Sequence, residues 1–161
     1  MVEIRQATGE EEEKLAEIGL AAWRKGIKPL VSKEVAARIE SDNPFLPFLR
    51  DMKSRLLVAV VDGEAAGIGG CEKEDDYISD IWVDPAFEGR GVGSALLQAL
   101  EREIAGRGYR RARIHVAAAN ERALRLYQHR GYRQIWRKTA YDPILEIALE
   151  KIELAKDIES S

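Results

Sequence analysis

The stretch from Ile81 to Leu97, IWVDPAFEGRGVGSALL, carries the residue spacing with the clearest chemical meaning. Ile81, Trp82 and Val83 read as the end of a strand, stopped by Asp84-Pro85. Glu88, Gly89, Arg90, Gly91, Val92, Gly93 and Ser94 then lead straight into an apolar helical stripe. A strand that enters a glycine-rich turn and leaves it as a helix gathers successive backbone N–H groups on one side. The free N–H groups and positive dipole end of the helix add to them. The ligand that suits such a turn is a phosphate or diphosphate. Spacing excludes the two commonest phosphate loops. A dinucleotide GxGxxG needs glycine where Ser94 or Leu96 stands. A P-loop needs Gly-Lys-Ser/Thr, and no lysine lies between Lys73 and Lys138.

The elements that must position this turn follow from periodicity and turn residues. Residues 2–6 read as a first strand. Thr8 and Glu11 have capping-box spacing, and Leu15, Ile18 and Ala22 share one face of the helix behind them, which ends near Pro29. Residues 32–41 predict a second helix. Pro44 and Pro47 then break the pattern, leaving Phe45, Leu46, Phe48 and Leu49 as an apolar patch between helices, with core packing or a substrate-side lid as its two readings. Residues 56–61 form a continuous apolar run, as a buried strand does. Asp62-Gly63 signals a hairpin into a partner strand at 65–71. A fourth strand covers 77–83, a helix 91–107, a fifth strand 111–116, a helix 120–130 ended by Gly131, and a sixth strand 132–141. Residues 145–154 fit helix or strand by periodicity alone. Hairpins followed by a strand–helix–strand crossover predict an α/β (α+β) fold, a mixed twisted sheet with helices on both faces.

Bulk properties remove whole classes of function. A length of 161 residues predicts one domain. No apolar run approaches the ~18 residues of a membrane span, and Met1 to Arg5 lack the layout of a secretory signal. Cys71 is the single cysteine, which excludes an internal disulfide and a cysteine metal cluster. These features favour a cytoplasmic protein without membrane partners. A net charge of -3 gives no reason to expect nucleic-acid binding. His115 and His129 are the only histidines and no acidic motif completes a metal set, so no metal is expected. Charge is unevenly spread. Residues 101–140 are rich in arginine, whereas Glu10–Glu13 and Glu72, Glu74, Asp75 and Asp76 are acidic. Solvated faces account for this, or an anionic ligand on the C-terminal half with a cationic one nearer the acidic segment.

With these elements in place, the glycine turn resembles the acetyl-coenzyme A loop of the Gcn5-related N-acetyltransferase (GNAT) superfamily, whose pattern is Gln/Arg-x-x-Gly-x-Gly/Ala. Gly91 and Gly93 match it and Glu88 departs from it; a carboxylate there is expected to point to solvent while its backbone N–H serves. A second segment, NERALRLYQHRGY at 120–132, matches the family in Asn120, Ala123, Tyr127 and the Gly131-Tyr132 end. It is similar to bacterial ribosomal-protein alanine N-acetyltransferases.

The resemblance implies a single GNAT-like domain at 1–154 with six or seven strands and residues 146–154 as the last strand; residues 155–161 are expected to be a mobile tail, as chain ends commonly are. It implies acetyl-coenzyme A as co-substrate, held by Ile81, Trp82, Val83, residues 88–94, Asn120 and Tyr127. The amine acceptor would be a protein N-terminus, a polyamine or another small amine, attacking the thioester directly. A homodimer is common among such proteins. Tyr127 would donate a hydrogen bond to the departing sulfur, although Leu124, Tyr127 and Gly131 also describe an ordinary packed helix face. His115 stands where the alanine-type enzymes carry a glutamate base; Asp80 and bulk water are the other candidates for proton removal. A non-catalytic coenzyme A-binding module of the same fold is the competing function.

Overall fold

The apolar run at 57–61 is apolar throughout because both of its faces are covered. In the computed structural model, which describes residues 1–142 and 145–159, this strand (β2, Leu57–Val61) lies between β1 (Val2–Gln6) and β3 (Glu64–Gly70), antiparallel to both. Leu57, Ala59 and Val61 enter one core, and Val58 and Val60 the other. The β2–β3 turn has positive φ at both Asp62 (51°) and Gly63 (79°), the primed geometry that matches strand twist.

Helices cover each face. On one side lie α4 (Val92–Gly106) and α5 (Glu121–His129); on the other lie α1 (Glu12–Gly26), α2 (Lys33–Asp42) and α3 (Phe45–Met52). The predicted stripe of α4 is the anchor: Leu96, Leu97, Leu100 and Ile104 are fully buried, each side chain contributing about 1.5–3 kcal/mol relative to exposure. Ser32 caps α2 by accepting the Val35 N–H at 3.2 Å. At α1 only half of the expected capping box forms. Glu11 accepts from the Thr8 N–H at 2.9 Å, and the helix starts beyond it.

α2 ends at Asp42, ahead of Pro44 as expected, but the prolines do not leave an irregular segment behind them. They open α3, where the N–H groups of the first turn have no helical partner to lose. Phe45, Leu49 and Met52 bury beneath α1. The patch is therefore core and not a lid.

The single strand expected at 77–83 is two strands. β4 (Tyr77–Ile78) pairs parallel with β6 (Arg111–Ala117), while β5 (Asp80–Val83) pairs antiparallel with β3. Between them the Ser79 N–H bonds to the Gly70 carbonyl at 3.1 Å, although Gly70 already faces Asp80 in register. Two residues against one make a bulge, which turns the chain from one sheet into the other. Against the six or seven strands expected, the described residues form eight, in two four-stranded sheets ordered β1-β2-β3-β5 and β4-β6-β8-β7. Here β7 is Arg133–Asp142 and β8 is Ile147–Asp157. β8 lies between β6 and β7 and buries Ala155. Residues 155–157, expected to begin a tail, are thus strand; residues 160–161 lie outside the described chain.

Candidate active site

The glycine turn forms as its composition requires. Asp84 accepts the Ala86 N–H at 3.0 Å and starts a short 3-10 turn at Pro85–Phe87. Gly89 (φ 75°) and Gly91 (φ 79°) then take the left-handed conformation that reverses the chain into α4. Gly93 serves a different end. It is helical, and a Cβ there would lie 2.8 Å from Leu126 Cδ2, so its smallness lets α4 approach α5. Among the described residues, none of the backbone N–H groups of 89–94 has an acceptor within the protein. Six consecutive free donors at a helix head form a strongly anion-seeking surface.

Five of these six residues, Gly89 and Gly91 to Ser94, line a cavity of about 1050 Å³ between β5 and β6. It exists because β4 pairs with β6 and β5 does not. The Asp84 N–H bonds to the Ala66 carbonyl at 2.9 Å. That contact sets the phase of the ladder, so Ile81 and Val83 turn their backbone groups toward the open edge. Trp82 packs edge-on against Phe45 (5.1 Å between centroids) and aims its indole N–H at Asp80. It lines the cavity and holds Asp80.

Two loop side chains depart from expectation. Glu88 does not point to solvent. Its carboxylate pairs with Lys25 of α1 and, at 2.8 Å, with Arg122 of α5, because two cations converge on it from the flanking helices. Arg90 turns away to Asp62 (2.9 Å) and stacks over Phe87, outside the cavity lining, leaving only its backbone N–H available.

Tyr127, Asn120, Asp80 and His115 all line the same cavity. Asn120 caps α5, its Oδ1 accepting the Ala123 N–H at 3.3 Å. Tyr127 is buried, yet its hydroxyl has no hydrogen-bond partner among the described residues. Burial, with the Asp80 carboxylate and Tyr77 nearby, pushes its phenol well above the usual range. It is a neutral donor with nothing to donate to in the protein.

The Asp80 carboxylate accepts from the Trp82 indole N–H at 2.9 Å and from the Ser79 hydroxyl at 2.7 Å. Desolvation raises its pKa, only partly offset by these two donors. His115 has both ring nitrogens engaged: Nε2 lies 2.9 Å from Glu153 Oε1, and Nδ1 lies 3.1 Å from the Tyr77 hydroxyl. A carboxylate only accepts, so Nε2 carries a proton, and in the neutral ring Nδ1 accepts from Tyr77. Burial also lifts the Tyr77 phenol, to about 12.

The acidic segment takes no part in the cavity. Arg113 neutralises Glu74 (2.9 Å) and Asp76 (3.1 Å), and none of residues 72–76 lines the space. Of the basic residues at 101–140, only Arg122 does so. The site thus holds several residues that sequence reasoning missed. Lys25 sits in the last turn of a predicted helix and Arg122 within the quoted second segment, so both were visible as charges. The pairing of Glu153 with His115 depends on β8 lying beside β6, for which the sequence carries no local signal.

Comparison with known proteins decides the family. The model of the acetyltransferase (GNAT) family matches residues 18–132, spanning both walls of the cavity. The chain belongs to the GNAT family. It is accordingly an N-acetyltransferase. Solved GNAT structures reproduce the whole fold at low sequence identity. A GCN5-related N-acetyltransferase from Rhodopseudomonas palustris has a TM-score of 0.79 at 24% identity, covering 97% of this chain and 95% of its own. The PaiA N-acetyltransferase from Thermoplasma acidophilum, solved with coenzyme A, has 0.73 at 18%, covering 98% and 99%. The ribosomal-protein-S18-alanine N-acetyltransferase from Escherichia coli has 0.71 at 21%, covering 100% and 96%. The expected GNAT fold is therefore observed, with its strands divided between two sheets. Among the described residues, no helix is long and apolar enough to cross a membrane.

Proposed function

We propose that this GNAT enzyme takes its acetyl group from acetyl-coenzyme A and passes it to a primary amine by direct attack. One observation carries the reading: of the six free backbone N–H groups at 89–94, those of Gly89 and of residues 91–94 belong to residues that line the same cavity as the unpartnered Tyr127 hydroxyl. The N–H groups suit a diphosphate. The open edge at Ile81 and Val83 suits the amides of a pantetheine arm. When bound, acetyl-coenzyme A supplies a thioester open to attack by a neutral amine.

Asp80 removes the ammonium proton in this reading. It lines the cavity, its carboxylate is steadied by Trp82 and Ser79, and its raised pKa makes it a better base than an ordinary aspartate. His115 is less suited, since neither ring nitrogen is free for the amine. Tyr127 donates a hydrogen bond to the departing sulfur. Reference pKa values of ~8.5 for a thiol and ~10 for a phenol make full proton transfer uphill by about 2 kcal/mol, and the burial of Tyr127 makes it steeper. The role is therefore donation, with transfer completed late.

The acceptor classes to test are polyamines, other small amines and peptide N-termini. A screen reading free-thiol release with each, at saturating acetyl-coenzyme A, is expected to show turnover with at least one class. Binding of the coenzyme without thiol release from any acceptor would replace the enzyme reading with that of a binding module.

A further inference from the structure

Glu88, Lys25 and Arg122 form a three-element knot that the proposed reaction does not use. The residues come from the loop before α4, the last turn of α1 and the first turn of α5, and all three line the cavity. The Glu88 side chain is only 20% exposed, against 51% for Lys25 and 63% for Arg122. One anion thus sits inside, gripped by two cations reaching in from the rim. Arg122 is poorly placed for its own helix, since a cation in the first turn opposes the helix dipole. Lys25, in a last turn, is well placed. One carboxylate also leaves the trio with a net positive charge, beside six unsatisfied N–H groups.

We infer that Lys25 and Arg122 are a clamp for the coenzyme's phosphates, and that Glu88 is an internal anion holding that clamp until a phosphate displaces it. The inference rests on the coenzyme reading above and goes beyond it. The loop amides alone do not tell one phosphorylated ligand from another. A clamp from two other helices adds charge-assisted contacts that depend on the phosphates. A carboxylate and a phosphate repel each other, so both cannot sit between the same cations. Entry of the phosphate turns Glu88 outward, and part of the binding free energy is lost in doing so. The departure from Gln/Arg at this position then sets affinity: the chain binds its coenzyme less tightly than its own cations allow.

The test is calorimetric titration of the intact protein and of Lys25→Gln, Arg122→Gln and Glu88→Gln with coenzyme A, dephospho-coenzyme A and pantetheine. Thermal melts of each variant separate loss of fold from loss of binding. The clamp predicts that Lys25→Gln and Arg122→Gln each weaken coenzyme A roughly tenfold, the scale of one charge-assisted contact, with pantetheine unaffected. Glu88→Gln tightens coenzyme A by several-fold. Equal losses for coenzyme A and dephospho-coenzyme A assign the clamp to the diphosphate; a loss for coenzyme A alone assigns it to the 3′-phosphate. Unchanged affinity in both cation variants overturns the inference. Weaker binding by Glu88→Gln also overturns it, marking the knot as a strut that shapes the groove. If the unmodified protein binds no coenzyme A, the coenzyme reading itself fails, a result distinct from either of these.

Discussion

The two walls of the cleft are built from different materials. The α4 wall presents backbone: the N–H groups of 89–94, aimed by the left-handed Gly89 and Gly91. The opposite wall presents side chains: Asp80, His115 and Tyr127, aimed by a bulge, a strand pairing and a helix. Backbone donors survive almost any side-chain change, so a loop that binds through them, as proposed, tolerates Glu88 in place of Gln or Arg. A side-chain wall has no such tolerance, since each group is unique and each is set by contacts made elsewhere. In the proposed reading, coenzyme binding is thus the robust half of this site and proton transfer the fragile half.

Substitutions that strike one wall and spare the other test this contrast. The largest effect belongs to Asp80→Asn, which keeps the Trp82 contact but removes the proposed base. We expect kcat/KM to fall by roughly 10²–10⁴-fold with coenzyme A affinity within about twofold. Its pH profile carries the sharper signature. A carboxylate with a raised pKa takes up its proton at a higher pH than an ordinary aspartate, so wild-type activity declines as pH falls, beginning above the ordinary carboxylate range. Asp80→Asn removes that limb. A wild-type limb that persists in the variant assigns the base to another group.

Next is Tyr127→Phe, expected to lower kcat by roughly 10²-fold, the lower end of proton-donor effects, at unchanged coenzyme A affinity. Wild-type turnover would leave Tyr127 as packing only. On the backbone wall, Gly91→Ala places a side chain at φ 79°, a strain of about 1–2 kcal/mol. The melt should shift downward and coenzyme A binding weaken by a similar free energy, with little change in kcat at saturation. A loss of kcat at saturation would show that the two walls are not separable.

The smallest effect lies outside both walls. Arg5 grips Glu11 through two contacts of 2.7 Å, and with Thr8 they hold the Glu11 carboxyl at about 2. A depressed carboxylate stabilises the fold above its unfolded pKa of ~4.3, and the contribution is lost as pH falls toward about 2. Glu11→Gln should cost about 0.5–1 kcal/mol near neutrality, as exposed pairs do. It should also flatten that part of the acid-unfolding curve, with activity unchanged.

The same contrast explains what was legible in the sequence. The α4 wall was readable because its geometry is written locally: strand, Asp-Pro stop, glycines and helix stripe follow one another within Ile81 to Leu97. Element order came from equally local signals. The α3 helix is hard to read in the sequence because a proline looks the same inside a helix, where it breaks it, and at its head, where it is tolerated, and only tertiary packing tells which applies to Pro44 and Pro47. The break at Ser79 was invisible, since a bulge answers to the opposite strand. The engagement of His115 was invisible for the same reason, because Glu153 is 38 residues away in sequence. Glu88 was placed wrongly because its partners come from α1 and α5, which sequence order keeps far apart.

The most direct test of the central claim is an amide-resolved NMR titration of the ¹⁵N-labelled protein with coenzyme A. The account predicts saturable shifts of the N–H signals of residues 89–94, larger than those elsewhere in α4. The same signals should stay still when pantetheine, which lacks the diphosphate, is added instead. Saturable binding of coenzyme A that leaves those six amides unmoved, or no binding at all, would contradict it.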